Sequence, residues 1–97
     1  MIYLGELYSP FLMEIVAYTS KGCYYCEQLK ELFRRAKTDY TEVRVRQDIT
    51  RDEFVAKFPN QDTYPHVTID GVSIGGLTET AKYFVDNNVI QVNNGRS

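Results

Sequence analysis

Apolar residues along this chain change their period several times, and each change marks a predicted element. Ile15-Val16-Ala17-Tyr18 is an unbroken apolar run. It predicts a strand over 14–19, central in a sheet and covered on both faces. After Cys23 the apolar positions fall at Cys26, Leu29, Phe33 and Ala36, with Leu32 beside them. That is the spacing of one helix face and predicts a helix over 23–37. Lys30, Arg34, Arg35 and Lys37 crowd its C-terminal end, where the helix dipole favours cations. Glu42-Val43-Arg44-Val45-Arg46 alternates strictly, as an edge strand with one buried face does.

Further on, Thr50-Arg51-Asp52-Glu53 spells a capping box, with Ile49 and Phe54 at the staple positions around it. The helix it opens is expected to bury Phe54, Val55 and Phe58 and to stop at Pro59-Asn60. Val67-Thr68-Ile69 and Val72-Ser73-Ile74 flank Asp70-Gly71, a pair suited to the positive φ angles of a two-residue hairpin turn. Gly75-Gly76 breaks the second strand. Thr78 is then expected to cap a last helix that buries Leu77, Ala81, Phe84 and Val85. The predicted order is β-α-β-α-β-β-α, an α/β fold with a four-stranded mixed sheet. Its first two strands run parallel through a right-handed crossover, and the hairpin adds antiparallel strands.

Residues 1–12 are apolar but aperiodic, broken by Gly5 and Pro10, and are expected to form an N-terminal extension. Ile2, Leu4, Leu7 and Phe11 are too apolar to float freely. They are expected to pack on the domain or a neighbouring molecule, away from the chemistry. Met13 opens the domain proper, residues 13–97, which ends in a short polar tail from Asn87.

Ninety-seven residues suffice for one domain with one modest core. A net charge of −2 gives no reason to expect nucleic acid as a partner. There is no basic, then apolar, leader pattern and no run near the roughly 20 residues of a membrane span. The expectation is a soluble cytoplasmic protein in a reducing compartment. There a lone Cys-x-x-Cys is more often catalytic or metal-binding than structural.

That pair, Cys23-Tyr24-Tyr25-Cys26, holds the chain's two cysteines and lies where a strand gives way to a helix. A thiol in a helix's first turn faces unpaired N–H groups and the positive end of the dipole. In such settings a thiol pKa of about 8.5 drops into roughly the 3.5–7.5 range. Lys21 adds a positive charge two residues upstream. Zinc wants four ligands, and beyond these thiols the chain offers only His66, so no metal is expected. His66 itself reads as an ordinary strand residue.

The chain resembles a dithiol glutaredoxin of the thioredoxin-like superfamily, in the style of small bacteriophage and bacterial members. The resemblance runs from about Glu14 to Phe84 and rests on three motifs in order. They are Lys21 before Cys23-Tyr24-Tyr25-Cys26, Thr63-Tyr64-Pro65 where the family has Thr-Val-Pro with a cis proline, and Gly75-Gly76 before the last helix. Thioredoxins proper resemble it less, since they place tryptophan beside the cysteines and this chain has none.

The resemblance implies a glutathione-dependent thiol–disulfide oxidoreductase with glutathione as co-substrate. Cys23 would be the nucleophile and Cys26 the resolving thiol. Glutathione would be held by Lys21, Tyr25, Arg51, Gln61, Thr63, Tyr64, Pro65, Gly76, Leu77 and Thr78. It also implies a monomer acting on protein disulfides, with ribonucleotide reductase among the substrates. Two other readings fit the same residues: a redoxin fed by a thioredoxin reductase, or a carrier in which two chains bridge an iron–sulfur cluster. Two departures stand out. Tyr24 replaces the family's usual proline. Leu77-Thr78 follows Gly-Gly where the family has a variable residue and then Asp or Ser, so no negative charge is expected there for glutathione's amino group.

Overall fold

The computed structural model describes residues 13–90. Ile15–Thr19 (β1) takes the centre of the sheet, as its apolar run requires. Thr41–Arg44 (β2) pairs with it in parallel on one side, and His66–Ile69 (β3) antiparallel on the other. Val72–Gly75 (β4) closes the far edge antiparallel to β3, giving the order β2-β1-β3-β4. The helices are Tyr24–Ala36 (α1), Arg51–Lys57 (α2) and Leu77–Asp86 (α3). The β3–β4 turn at Asp70-Gly71 has φ of 53° and 82° at its two residues, as the dipeptide predicts.

Alternation along β1 splits the core in two. Ile15 and Ala17 face Leu29 and Phe33 of α1 and Phe84 of α3, together with Val67 and Ile69. Tyr18 and its partly buried neighbour Val16 face the other way, towards Val45 and Phe54 of α2. Phe33, Phe54 and Phe84 are completely buried; each contributes on the order of 1.5–3 kcal/mol by leaving water. The Thr50–Glu53 box forms as the sequence predicts. Thr50 Oγ1 accepts from Glu53 N–H at 3.0 Å, and Glu53 Oε1 accepts from Thr50 N–H at 2.8 Å.

Several expectations change. Val55 and Val85 are exposed rather than buried, because each lies one residue, about 100° of helix rotation, past a phenylalanine that takes the core position. The strand expected over 42–46 begins at Thr41 and ends at Arg44. The Asp48 carboxylate accepts the Arg44 N–H at 2.8 Å, and Arg46 turns the chain with φ of 78°. Val45 remains buried beyond the strand, its N–H donating to Thr19 O at 2.9 Å. Thr78 does not cap α3: Gly76 is the N-cap residue, and its N–H donates to Glu79 Oε1 at 2.9 Å. The expected extension, residues 1–12, and the end of the tail lie outside the described residues. Val89 and Ile90, at the tail's start, pack against the α1–α3 side of the core.

One polar cluster ties β1, α1 and β2 together. Glu42 Oε2 accepts from the Thr19 hydroxyl at 2.7 Å and pairs with Lys30 at 3.2 Å and Arg44 at 3.4 Å. The Thr19 hydroxyl, with the two cations adding to it, holds the Glu42 carboxyl below its ordinary value of 4.5. The folded state therefore favours the carboxylate. Its stabilisation is complete above the unfolded pKa and is lost as pH falls through the lower folded value. Glu42→Gln should cost about 1 kcal/mol at pH 7. Urea unfolding at pH 7 and pH 3 should show the gap to wild type closing in acid; a constant gap would contradict this account.

Candidate active site

The loop leaving β1 runs through Ser20-Lys21-Gly22, and Gly22 has φ of 72°, a conformation that favours glycine. It delivers Cys23 to the N-cap position of α1, one residue before the helix predicted to start there. Its sulfur accepts the Cys26 N–H at 3.1 Å, the place where a Ser or Asp oxygen ordinarily caps a helix. The two cysteines are joined as a disulfide, with Cα atoms 5.2 Å apart. Cys26 is 1% exposed while Cys23 is only half-buried, so the pair opens to solvent through Cys23.

Tyr64 O lies 3.8 Å from Cys23 Sγ, and the Tyr64–Pro65 peptide bond is cis. The Tyr64 ring stacks on the α2 core through Phe54, centroids 5.2 Å apart, and its hydroxyl accepts from Arg51 Nη1 at 2.8 Å. His66 follows Pro65 into β3, as an ordinary strand residue. It is 1% exposed, bonded through Nε2 to Ser73 Oγ at 3.0 Å, and burial pushes its pKa down. Among the described residues no group of three or more His, Cys, Asp and Glu side chains is placed to hold a metal ion.

A groove of about 700 Å³ opens beside this cluster, a size typical of small-molecule sites. Of the residues named from the sequence, Tyr25, Gln61, Thr63, Tyr64, Pro65, Gly76, Leu77 and Thr78 line it. Lys21 and Arg51 do not. Lys21 lines a separate hollow across Tyr64, and Arg51 reaches the same tyrosine from α2. Tyr24 and Tyr25 are both exposed, their rings edge to face at 5.4 Å.

The groove lining also includes three residues absent from that set, Ile74, Gly75 and Glu79, and of these Glu79, at the start of α3, has the ionisable side chain. Thr78 itself brings no negative charge, as the sequence reads. The charge comes one position after Thr78, and it is present because N3 of a helix suits a glutamate that reaches back to the N-cap N–H. The Gly76–Glu79 spacing could have revealed it. Gly75, with φ of 131°, leaves room for that side chain: a Cβ there would meet Glu79 Cγ at 2.8 Å.

A half-buried sulfur at a helix N-cap, a buried partner one turn on and a proline loop against the pair define a thiol–disulfide oxidoreductase of thioredoxin-like fold. Comparison with known proteins narrows this. A glutaredoxin family model matches residues 15–74. Glutaredoxin 1 of Rickettsia bellii is 37% identical over 74 residues, covering 70% of this chain and 74% of its own. Among solved structures, glutaredoxin 1 of Francisella tularensis, complexed with cacodylate, superposes with a TM-score of 0.65 at 27% identity, over 79% of this chain and 96% of its own. A buckwheat glutaredoxin–glutathione complex shares the fold at a TM-score of 0.64 and 24% identity, over 79% of this chain and 73% of that one. The chain belongs to the glutaredoxin family.

Burial and the N-cap make the two thiols unequal. After reduction, iodoacetamide near pH 6 should alkylate Cys23 well before Cys26, as peptide mapping will show. Faster labelling of Cys26 would reverse the assignment.

Proposed function

We propose that this protein is a dithiol glutaredoxin that draws its electrons from glutathione. The Cys23 thiolate attacks a substrate disulfide, forming a mixed disulfide and expelling one substrate thiolate. Cys26 then displaces the second, leaving the Cys23–Cys26 disulfide. One glutathione thiolate attacks Cys23 and releases Cys26. A second attacks the resulting mixed disulfide, giving glutathione disulfide and restoring the Cys23 thiolate.

The observation that carries this reading is the groove from Gln61 to Glu79 beside Cys23. Its elements suit a short peptide with carboxylates at its ends and one ammonium group. The Tyr64 backbone offers an edge for an extended chain. The start of α3 offers the N–H groups of Leu77 and Thr78, which a helix leaves unpaired, to a carboxylate. Glu79 supplies the charge for the ammonium; its second oxygen makes no hydrogen bond among the described residues. Gln61 and Thr63 line the same groove and offer polar side chains to the other carboxylate. The glutathione bound by the buckwheat fold neighbour supports the same ligand. On this reading the protein acts as a cytoplasmic monomer, and a chain starting at Met13 keeps its activity.

Turnover of a glutathione mixed disulfide, coupled to glutathione reductase, tests the proposal directly. Activity with thioredoxin reductase and none with glutathione would defeat it. Cys23→Ser should lose all turnover. Cys26→Ser should lose reduction of protein disulfides but keep deglutathionylation, which needs one thiol. Glu79→Ala should raise KM for the glutathionylated substrate about tenfold, the ~1.4 kcal/mol expected of a hydrogen bond to a charged group, with little change in kcat. An unchanged KM would remove Glu79 from the site.

A further inference from the structure

Across Tyr64 from the groove lies a second hollow, lined by Ser20, Lys21, Arg44, Arg46, Gln47 and Tyr64. Three of its side chains are cationic and none is acidic, in a chain with 13 acidic and 11 basic residues. An ordinary solvated face of this chain would mix both signs. Among the described residues, only Arg44 of the three cations has an acidic partner, Glu42 at 3.4 Å. Glu42 takes the Thr19 hydroxyl, Lys30 and Arg44, and the Asp48 carboxylate accepts the Arg44 backbone N–H. None of the ion pairs among the described residues includes Lys21 or Arg46.

The backbone that carries the two arginines is also held in place. Arg46 sits at a turn with φ of 78°, its N–H donating to Ile49 O at 2.6 Å. Val45, the residue between the two arginines, is buried and bonded to Thr19 O. The hollow reaches the chemistry through two of its own residues. Lys21 is two positions before Cys23, and the carbonyl of Tyr64 lies 3.8 Å from the Cys23 sulfur. A polypeptide whose disulfide meets Cys23 therefore has one flank over the groove and the other over this basic hollow.

We propose that the hollow of Lys21, Arg44 and Arg46 receives a carboxylate side chain of the protein substrate, close in sequence to the disulfide being reduced. The substrate class is thus a disulfide in an acidic segment, and the two arginines set specificity without taking part in electron transfer. Positive charge beside the reacting sulfur speeds encounter with such an acidic segment and holds its flank in register.

The test uses the pre-reduced protein in single turnover with two disulfide-bridged peptides, identical except for glutamate or glutamine beside the cysteines. Glutathione is absent, so the outcome does not depend on the electron donor proposed above. The glutamate peptide should react about fivefold faster at low salt, an advantage shrinking to under about twofold in 0.5 M salt as charges are screened. In Arg44→Gln/Arg46→Asn the advantage should vanish, while the rate with the glutamine peptide stays at the wild-type value. Arg46→Asn alone, in which asparagine tolerates the positive φ, should halve the advantage and serves if the double variant does not fold. Equal rates for the two peptides in wild type, or an advantage that survives these substitutions, would overturn the proposal.

Discussion

Everything at the working end of this protein depends on a sulfur standing where a helix cap should be. Cys23 ends the loop from β1, and the Cys26 N–H in the first turn of α1 donates to its sulfur. A helix always leaves its first N–H donors unpaired, so the fold supplies an electropositive setting without any added cation. Moving the cysteine one residue either way would lose it. The β1 register sets the loop's origin and the apolar stripe of α1 sets the helix's rotation. Both are anchored by the same cluster around Leu29 and Phe33. The chemistry thus rests on packing several residues away.

Tyr64 joins the two halves of the core to that sulfur. Its ring belongs to the α2 side, against Phe54, and its hydroxyl is held by Arg51. Its carbonyl meets Cys23, which is set by the α1–α3 side. The tyrosine also lines both the groove and the basic hollow, so one residue touches the Cys23 sulfur and both flanking surfaces. Such a residue is over-determined: core, ion and loop must all agree on where it stands.

Glu79 shows how a helix cap and a groove wall can share one side chain. One oxygen closes the start of α3 on the Gly76 N–H, which fixes the carboxylate over the groove. That preorganisation lowers the ordering cost a ligand would otherwise meet. Gly75 makes it possible by omitting a Cβ where Glu79 packs.

Local patterns were enough for most of the fold. The apolar run of β1, the helical stripe through Cys26, Leu29 and Phe33, the Thr50–Glu53 box and the Asp70-Gly71 turn each encode their element within a few residues. Hydrogen bonding and side-chain direction at that range depend little on the rest of the chain. The paired thiols and their unequal burial were legible for the same reason, since both follow from a position on one helix. What the sequence could not decide was which surface each helix residue meets once the layers pack. Val55 and Val85 are as apolar as their neighbours, yet the phenylalanine beside each takes the core. Nor could it decide how the basic residues divide. Lys21 and Arg51 stand thirty positions apart, and Tyr64, packed on Phe54, lines both Lys21's hollow and the groove and is bonded to Arg51. Long-range placement is set by the sum of all the packed faces, and no short stretch of sequence contains that sum.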